Sequence, residues 1–256
     1  MKKINLYVVL VLTAIGAGIF ILFIALKSTD TPITRTVTLP GFTPDPNTTP
    51  RPVPSLRPTV ITSKTLISTV PFTPQAPFSE WSNPKLSNGC EEASTLMAIS
   101  WIRGESLNPD KARREILAIS DYEEKNYGVF LDTSAQDTVE RIFKGYYKYQ
   151  NVELRYDISA EDIKNELNKG NLVITPMNGQ ELKNPYYTAP GPLRHMLVII
   201  GYDPTPKEFS TNDPGTRLGE KYRYPEQVFM NAISDYLTGD DLPLPPKRRA
   251  MVVVKK

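Results

Sequence analysis

The chain holds one cysteine and one histidine, Cys90 and His195. Cys90 lies in Asn88-Gly89-Cys90-Glu91-Glu92-Ala93-Ser94. The residues after it are helix formers, which predicts a thiol at a helix N-terminus. His195 opens His195-Met196-Leu197-Val198-Ile199-Ile200-Gly201-Tyr202, an apolar run that reads as a strand. A second short strand, Glu208 to Thr211, leads into Asn212-Asp213-Pro214-Gly215. A thiol, an imidazole and a carboxylate, in that order, are the parts of a cysteine nucleophile with its base and orienting acid. The helix start favours the thiolate through its N–H groups and macrodipole. Glu91 and Glu92 oppose it at the sulfur, and the sequence leaves that balance open. Each part also has a plainer reading: a buried small cysteine, a strand-end histidine, an Asn-Asp-Pro-Gly turn.

The elements around these residues decide whether they meet. The strand from His195 is almost wholly apolar and is expected in the sheet centre. The turn Asp203-Pro204-Thr205-Pro206 makes it and the Glu208 strand antiparallel neighbours, so the start of one lies beside the end of the other. His195 and Asp213 are therefore predicted to meet. Successive strand residues face opposite ways, so only one of Asn212 and Asp213 can reach the imidazole, and Asp213 is preferred. Gln75, upstream of Cys90, is a candidate oxyanion donor together with the N–H of Cys90 itself, or else a solvated loop glutamine.

Further elements follow from local signals. Leu66 to Val70 reads as a strand and Pro71 to Phe78 as a loop. The helix from Cys90 to Trp101 is expected to bury one face through Cys90, Ala93, Met97 and Trp101, with Gly104 at its end. Asn108-Pro109 reads as an N-cap with proline at the first helical position. Asp132 or Thr133 is expected to cap a helix through Ile142. Asn151 to Tyr156 alternates like a strand, and Ser159 with Asp162 resembles a capping box for a helix to about Leu167. Leu172 to Thr175 and Met251 to Val254 read as strands, and Pro225 to Tyr236 as a helix. Helices first and strands later predict an α+β fold with an antiparallel sheet.

The N-terminal part has another character. Lys2 and Lys3 precede an uncharged apolar run, Leu6 to Leu26, closed by Lys27. About 20 apolar residues span a bilayer. No small-x-small cleavage pattern follows, so residues 1–27 are expected to be an uncleaved signal anchor, with a cleaved signal peptide and a secreted protein as the alternative. The lysines favour a cytoplasmic N-terminus and an extracytoplasmic remainder on a single-pass anchor. Residues 28–65 carry recurrent proline and threonine and read as an extended linker, or as a Pro-rich ligand. Residues 66–256 are then one folded domain, expected to be monomeric. The formal net charge of +2 argues against a nucleic-acid partner. One cysteine and one histidine supply too few ligands for a zinc site, and no cofactor is expected.

Gln75, the Asn88–Ser94 stretch, His195–Asp203 and Thr211–Thr216 together resemble the papain-like cysteine peptidases of the bacteriocin-processing (double-glycine leader) type, in particular their stand-alone peptidase-like branch. The resemblance runs from about Val70 to the C-terminus. It implies a papain-like fold, Cys90 as nucleophile, His195 as base, Asp213 as orienting acid and Gln75 in the oxyanion hole. The bacteriocin-processing members are fused to a multi-span ABC transporter, whereas this chain has one apolar segment and no nucleotide-binding motif. Its segment from Gln75 to Cys90, with Phe78, Trp81 and Pro84, is longer than theirs and could wall the substrate cleft or simply pack. The leading expectation is a membrane-tethered, externally facing thiol hydrolase acting on a peptide or on cell-wall peptide. A transpeptidase using the same parts and a catalytically silent binding or scaffold domain are the alternatives.

Overall fold

The computed structural model describes residues 63–239 and 242–256. The expected anchor, most of the linker and their boundary lie outside the described residues. Among the described residues no helix is long and apolar enough to cross a membrane.

The elements in chain order are β1 (Thr65–Leu66), α1 (Pro84–Ser87), α2 (Cys90–Arg103), α3 (Pro109–Tyr127) and α4 (Ala135–Asp137), which runs on as a π-helix (Thr138–Tyr146). Then come β2 (Val152–Tyr156), α5 (Ala160–Asn168), β3 (Leu172–Met177), α6 (Gly179–Leu182) and β4 (His195–Asp203). The chain closes with β5 (Glu208–Asn212), β6 (Tyr222–Pro225), α7 (Glu226–Ala232) and β7 (Ala250–Val254). The fold is α+β. The strands form one antiparallel sheet in the order β2-β7-β3-β4-β5-β6, with β1 pairing β4.

Both faces of the sheet are covered, which explains the unbroken apolar run of β4. Met196, Val198 and Ile200 pack with Met97 and Trp101 of α2 and Phe143 of the π-helix. Leu197 and Ile199 pack with Ile163 of α5 and Phe229 of α7. The side-chain period of two thus serves two separate cores. Helix α2 lies between the sheet and α3, so it is buried from Cys90 through Trp101 on every side, not on one face as the periodicity predicts.

Local signals place most boundaries. Gly104 ends α2 in the left-handed conformation, and Asn108 caps α3 with Pro109 at its start. Ser159 and Asp162 form the capping box of α5 in full. Other boundaries differ. The strand expected over Leu66–Val70 is only Thr65–Leu66, because it pairs where Gly201 of β4 lets it approach. A Cβ at Gly201 would lie 2.4 Å from the Thr65 carbonyl oxygen. Ser134, not Asp132 or Thr133, caps α4, since its hydroxyl accepts from the Asp137 N–H. The helix expected over Pro225–Tyr236 begins one residue later and ends at Ala232, after a strand, β6, that the sequence does not announce.

Candidate active site

Cys90 is held at the α2 N-terminus by close packing behind it. A Cβ at Gly89 would lie 2.8 Å from the Lys85 carbonyl oxygen and 3.0 Å from Ile116 Cγ2, so only glycine lets the turn settle against α1 and α3. Gly89 offers no side-chain cap, which leaves the first-turn N–H groups to face whatever lies beyond the thiol.

His195 starts β4, and Asp213 follows the last residue of the antiparallel neighbour β5. The two meet as expected, with His195 Nε2 2.8 Å from Asp213 Oδ1. Asn212 points elsewhere, its amide donating to the Val70 and Pro71 carbonyls at 3.4 Å each. A carboxylate only accepts, so Nε2 carries the proton and Nδ1 is the nitrogen left to act as base.

Asp213 is saturated with donors. Oδ1 also accepts the Gly215 N–H at 2.9 Å. Oδ2 accepts from Tyr224 at 2.5 Å, Tyr187 at 2.6 Å and Asn184 at 3.3 Å. Burial works to raise this carboxyl, but the charge and hydrogen bond of His195 and the two tyrosine hydroxyls hold it below its ordinary value. The turn has no spare room. A Cβ at Gly215 would lie 2.9 Å from His195 Cε1, and one at Gly219 would lie 1.9 Å from the Asp213 carbonyl oxygen. Asn184, Tyr187 and Tyr224 escape sequence reasoning because they come from a loop and a strand with no periodic signature.

Gln75 is buried in the wall beside Cys90. Its N–H donates to the Pro214 carbonyl at 2.9 Å, tying its loop to the Asp213 turn. Its Nε2 donates to the Ser87 carbonyl at 2.8 Å, which orients the amide and leaves a second N–H on that nitrogen.

These residues line one cleft of about 640 Å³, within the roughly 300–1,000 Å³ of small-ligand sites. Gln75, Cys90 and His195 open on it, as do Trp81, Tyr186, Tyr187, Asp132, Arg194 and Arg217. Of the segment before Cys90, Pro77, Ser79 and Trp81 form part of the wall. Phe78 lies half exposed, and Pro84 starts α1.

The thiol meets an acidic interior. Its Sγ donates to Glu91 Oε2 at 3.0 Å. Burial first, then the charge and hydrogen bond of Glu91, push the thiol well above its ordinary range, with Asp132 and Glu92 adding to the effect. The helix N-terminus therefore does not win in this resting arrangement. Behind the thiol, Glu92 and Glu123 are also buried. Glu92 accepts from Ser120 at 2.6 Å and Glu123 from Thr133 at 2.9 Å, and the other oxygen of each has no hydrogen-bond partner. Burial raises Glu123 to about 8, and burial with the Asp132 charge raises Glu91 to about 7.

A carboxyl raised in the folded state binds its proton more tightly there than in the unfolded chain. Its contribution is therefore intact below about pH 4.5 and is lost as pH rises through 7 for Glu91 and 8 for Glu123. Glu123→Gln removes one such charge while keeping the acceptor for Thr133. It is expected to raise stability at pH 8 by on the order of 3 kcal/mol and to change little at pH 4, as read by thermal unfolding at both values.

A structure from Bacillus anthracis described as a candidate C39-like peptidase is 18% identical, with a TM-score of 0.47, and the match covers 76% of this chain and 98% of that one. Comparison with curated proteins returned no significant match. The model of the Peptidase_C39 like family matches residues 67–238, which take in Cys90, His195 and Asp213. Matched over more than half its length, the chain belongs to the Peptidase_C39 like family, whose members are cysteine peptidase-like hydrolases.

Proposed function

We propose that this chain is a membrane-anchored, externally facing thiol hydrolase that cleaves a peptide or amide bond through an acyl-enzyme on Cys90. The observation that carries the reading is the His195–Asp213 pair at 2.8 Å, opening on the same cleft as Cys90. In this reading Nδ1 of His195 accepts the thiol proton, the thiolate attacks the scissile carbonyl, and the imidazolium returns the proton to the leaving amine. Water then enters, gives its proton to His195 and releases the acid product and the thiol. The Cys90 N–H and the remaining N–H of Gln75 are the donors aimed at the developing oxyanion. Trp81, Tyr186 and Tyr187 offer apolar walls to peptide side chains. The apolar run Leu6–Leu26 supports the anchored, extracytoplasmic placement.

One observation favours a second reading, a silent peptidase-like binding domain: the thiol is 4% exposed and bonds to a carboxyl. A single experiment separates the two. The full chain in detergent is incubated with a library of internally quenched peptides, beside Cys90→Ala. Cleavage by the wild-type protein, lost entirely in Cys90→Ala, is the expected result. No cleavage, together with a thiol that iodoacetamide reaches only in denaturant, would establish the silent reading.

A further inference from the structure

The triad gives no task to the carboxyl that actually holds the thiol. Glu91 is fully buried and immediately follows Cys90. Its Oε2 accepts the Cys90 S–H at 3.0 Å, and its Oε1 accepts the Tyr236 hydroxyl at 2.5 Å. The same hydroxyl lies 3.2 Å from the His195 carbonyl oxygen. One buried tyrosine thus joins the acid beside the nucleophile to the strand end that carries the base.

We propose that Glu91 is a further catalytic residue, a second acid–base partner that shares one proton with the Cys90 thiol, with Tyr236 positioning the pair against His195. The inference rests on the reading of Cys90 as nucleophile. A thiolate and a carboxylate at this spacing, both out of water, repel strongly, so one proton stays within the pair. Transfer from sulfur to Oε2 breaks the S–H bond, forms an O–H bond and leaves the electron pair on sulfur, with no change in net charge. The leaving amine then receives this proton by way of His195 Nδ1, which returns Glu91 to the carboxylate. In the second half-reaction His195 takes a proton from water, and that proton passes back to sulfur as the acyl group departs.

The surroundings favour such sharing. Cys90 and Glu92 face Glu91 from its own helix, and Glu123 from α3. Asp132, bridged to Arg194 at 3.2 Å, faces it from the loop before α4, and Tyr236 from the segment after α7. Burial and the negative charge of Asp132 raise the proton affinity of Glu91, while the hydrogen bonds from Tyr236 and Cys90 lower it, leaving it near 7. That places its titration where a thiol–imidazole pair works.

The test is the pH profile of Cys90 alkylation by iodoacetamide in the full chain, for wild type, Glu91→Gln and His195→Ala. Glutamine keeps the shape, removes the charge and can donate an N–H to the thiolate. The midpoint is expected to fall by about one unit or more, with a rate at pH 6 about tenfold higher. Superimposable wild-type and Glu91→Gln profiles would overturn the proposal. His195→Ala reports separately on the triad: if it has no effect while Glu91→Gln shifts the profile, the peptidase reading fails and the shared proton stands. Should Glu91→Gln not fold, ¹³C-NMR of wild-type protein labelled at the glutamate carboxyls keeps the question open to test. Capping Cys90 removes the S–H donor and is expected to raise the midpoint of one buried glutamate by about half a unit or more. An unmoved set of glutamate midpoints would overturn the proposal.

Discussion

Asp213→Ala is expected to cost the domain about 3–5 kcal/mol of stability and to abolish the proposed peptide cleavage. The carboxylate is fully buried and accepts from five donors: His195, Gly215, Tyr187, Tyr224 and Asn184. Alanine removes the common acceptor and leaves four side-chain donors, His195, Tyr187, Tyr224 and Asn184, facing an empty space. Breaking a buried, hydrogen-bonded charge pair from one side costs roughly 3–5 kcal/mol. In a domain of this size each kcal/mol shifts Tm by about 2–4 °C, so a fall of about 10 °C is expected on thermal unfolding at pH 7. Asp213→Asn separates structure from chemistry. It fills the same volume and retains one acceptor oxygen, so most of the stability should remain. It no longer fixes the proton on His195 Nε2, and the peptide-cleavage rate should still drop by about 10²–10⁴. The pH dependence has a defined sign. The folded-state proton affinity of Asp213 is lowered, so its contribution is present above the ordinary carboxylate range and is lost as pH falls through the folded value. A wild-type advantage over Asp213→Asn that persists unchanged at pH 2 would contradict this account.

His195→Ala is expected to cost less stability than Asp213→Ala, because Asp213 keeps four other donors, and to lower kcat/KM for the proposed peptide cleavage by about 10²–10⁴. The residue begins β4, and its ring is held by the Asp213 hydrogen bond and an edge contact with Tyr187 at 5.5 Å between centroids. Its removal deletes the only imidazole in the chain, so no neighbouring histidine can substitute as base. In the proposed mechanism base and orienting acid act as one unit, so the double variant His195→Ala/Asp213→Asn should be scarcely slower than His195→Ala alone. Steady-state kinetics on one cleaved peptide checks both statements. Multiplicative losses in the double variant would show that Asp213 acts on catalysis by a route other than the imidazole.

Several parts of the site were legible before any fold was known, because the governing interactions are local. The α2 start at Cys90, its glycine stop at Gly104, the Asn108-Pro109 entry to α3 and the Ser159–Asp162 capping box are settled within one or two turns. The meeting of His195 with Asp213 followed from a short turn between two strands, and the choice of Asp213 over Asn212 from strand parity. Where local signals were weak, reading failed. The strand at Leu66–Val70 shrank to two residues because its extent depends on the approach allowed by Gly201, far along the chain. The π-helix and β6 carry no turn or capping signal distinct from their neighbours.

The sequence by itself determined which groups are available for chemistry: one thiol, one imidazole, and a carboxylate brought to it by a hairpin. Those are matters of residue type, period and turn length. Only the tertiary structure decided how the thiol is poised. Its proton affinity depends on burial, on the neighbouring Glu91 and on the charge that Asp132 brings from a distant segment, while Tyr236 brings a hydroxyl to Glu91 from the far end of the domain. Electrostatic effects of this kind act through space in a water-poor interior, where separation along the chain has no bearing on strength.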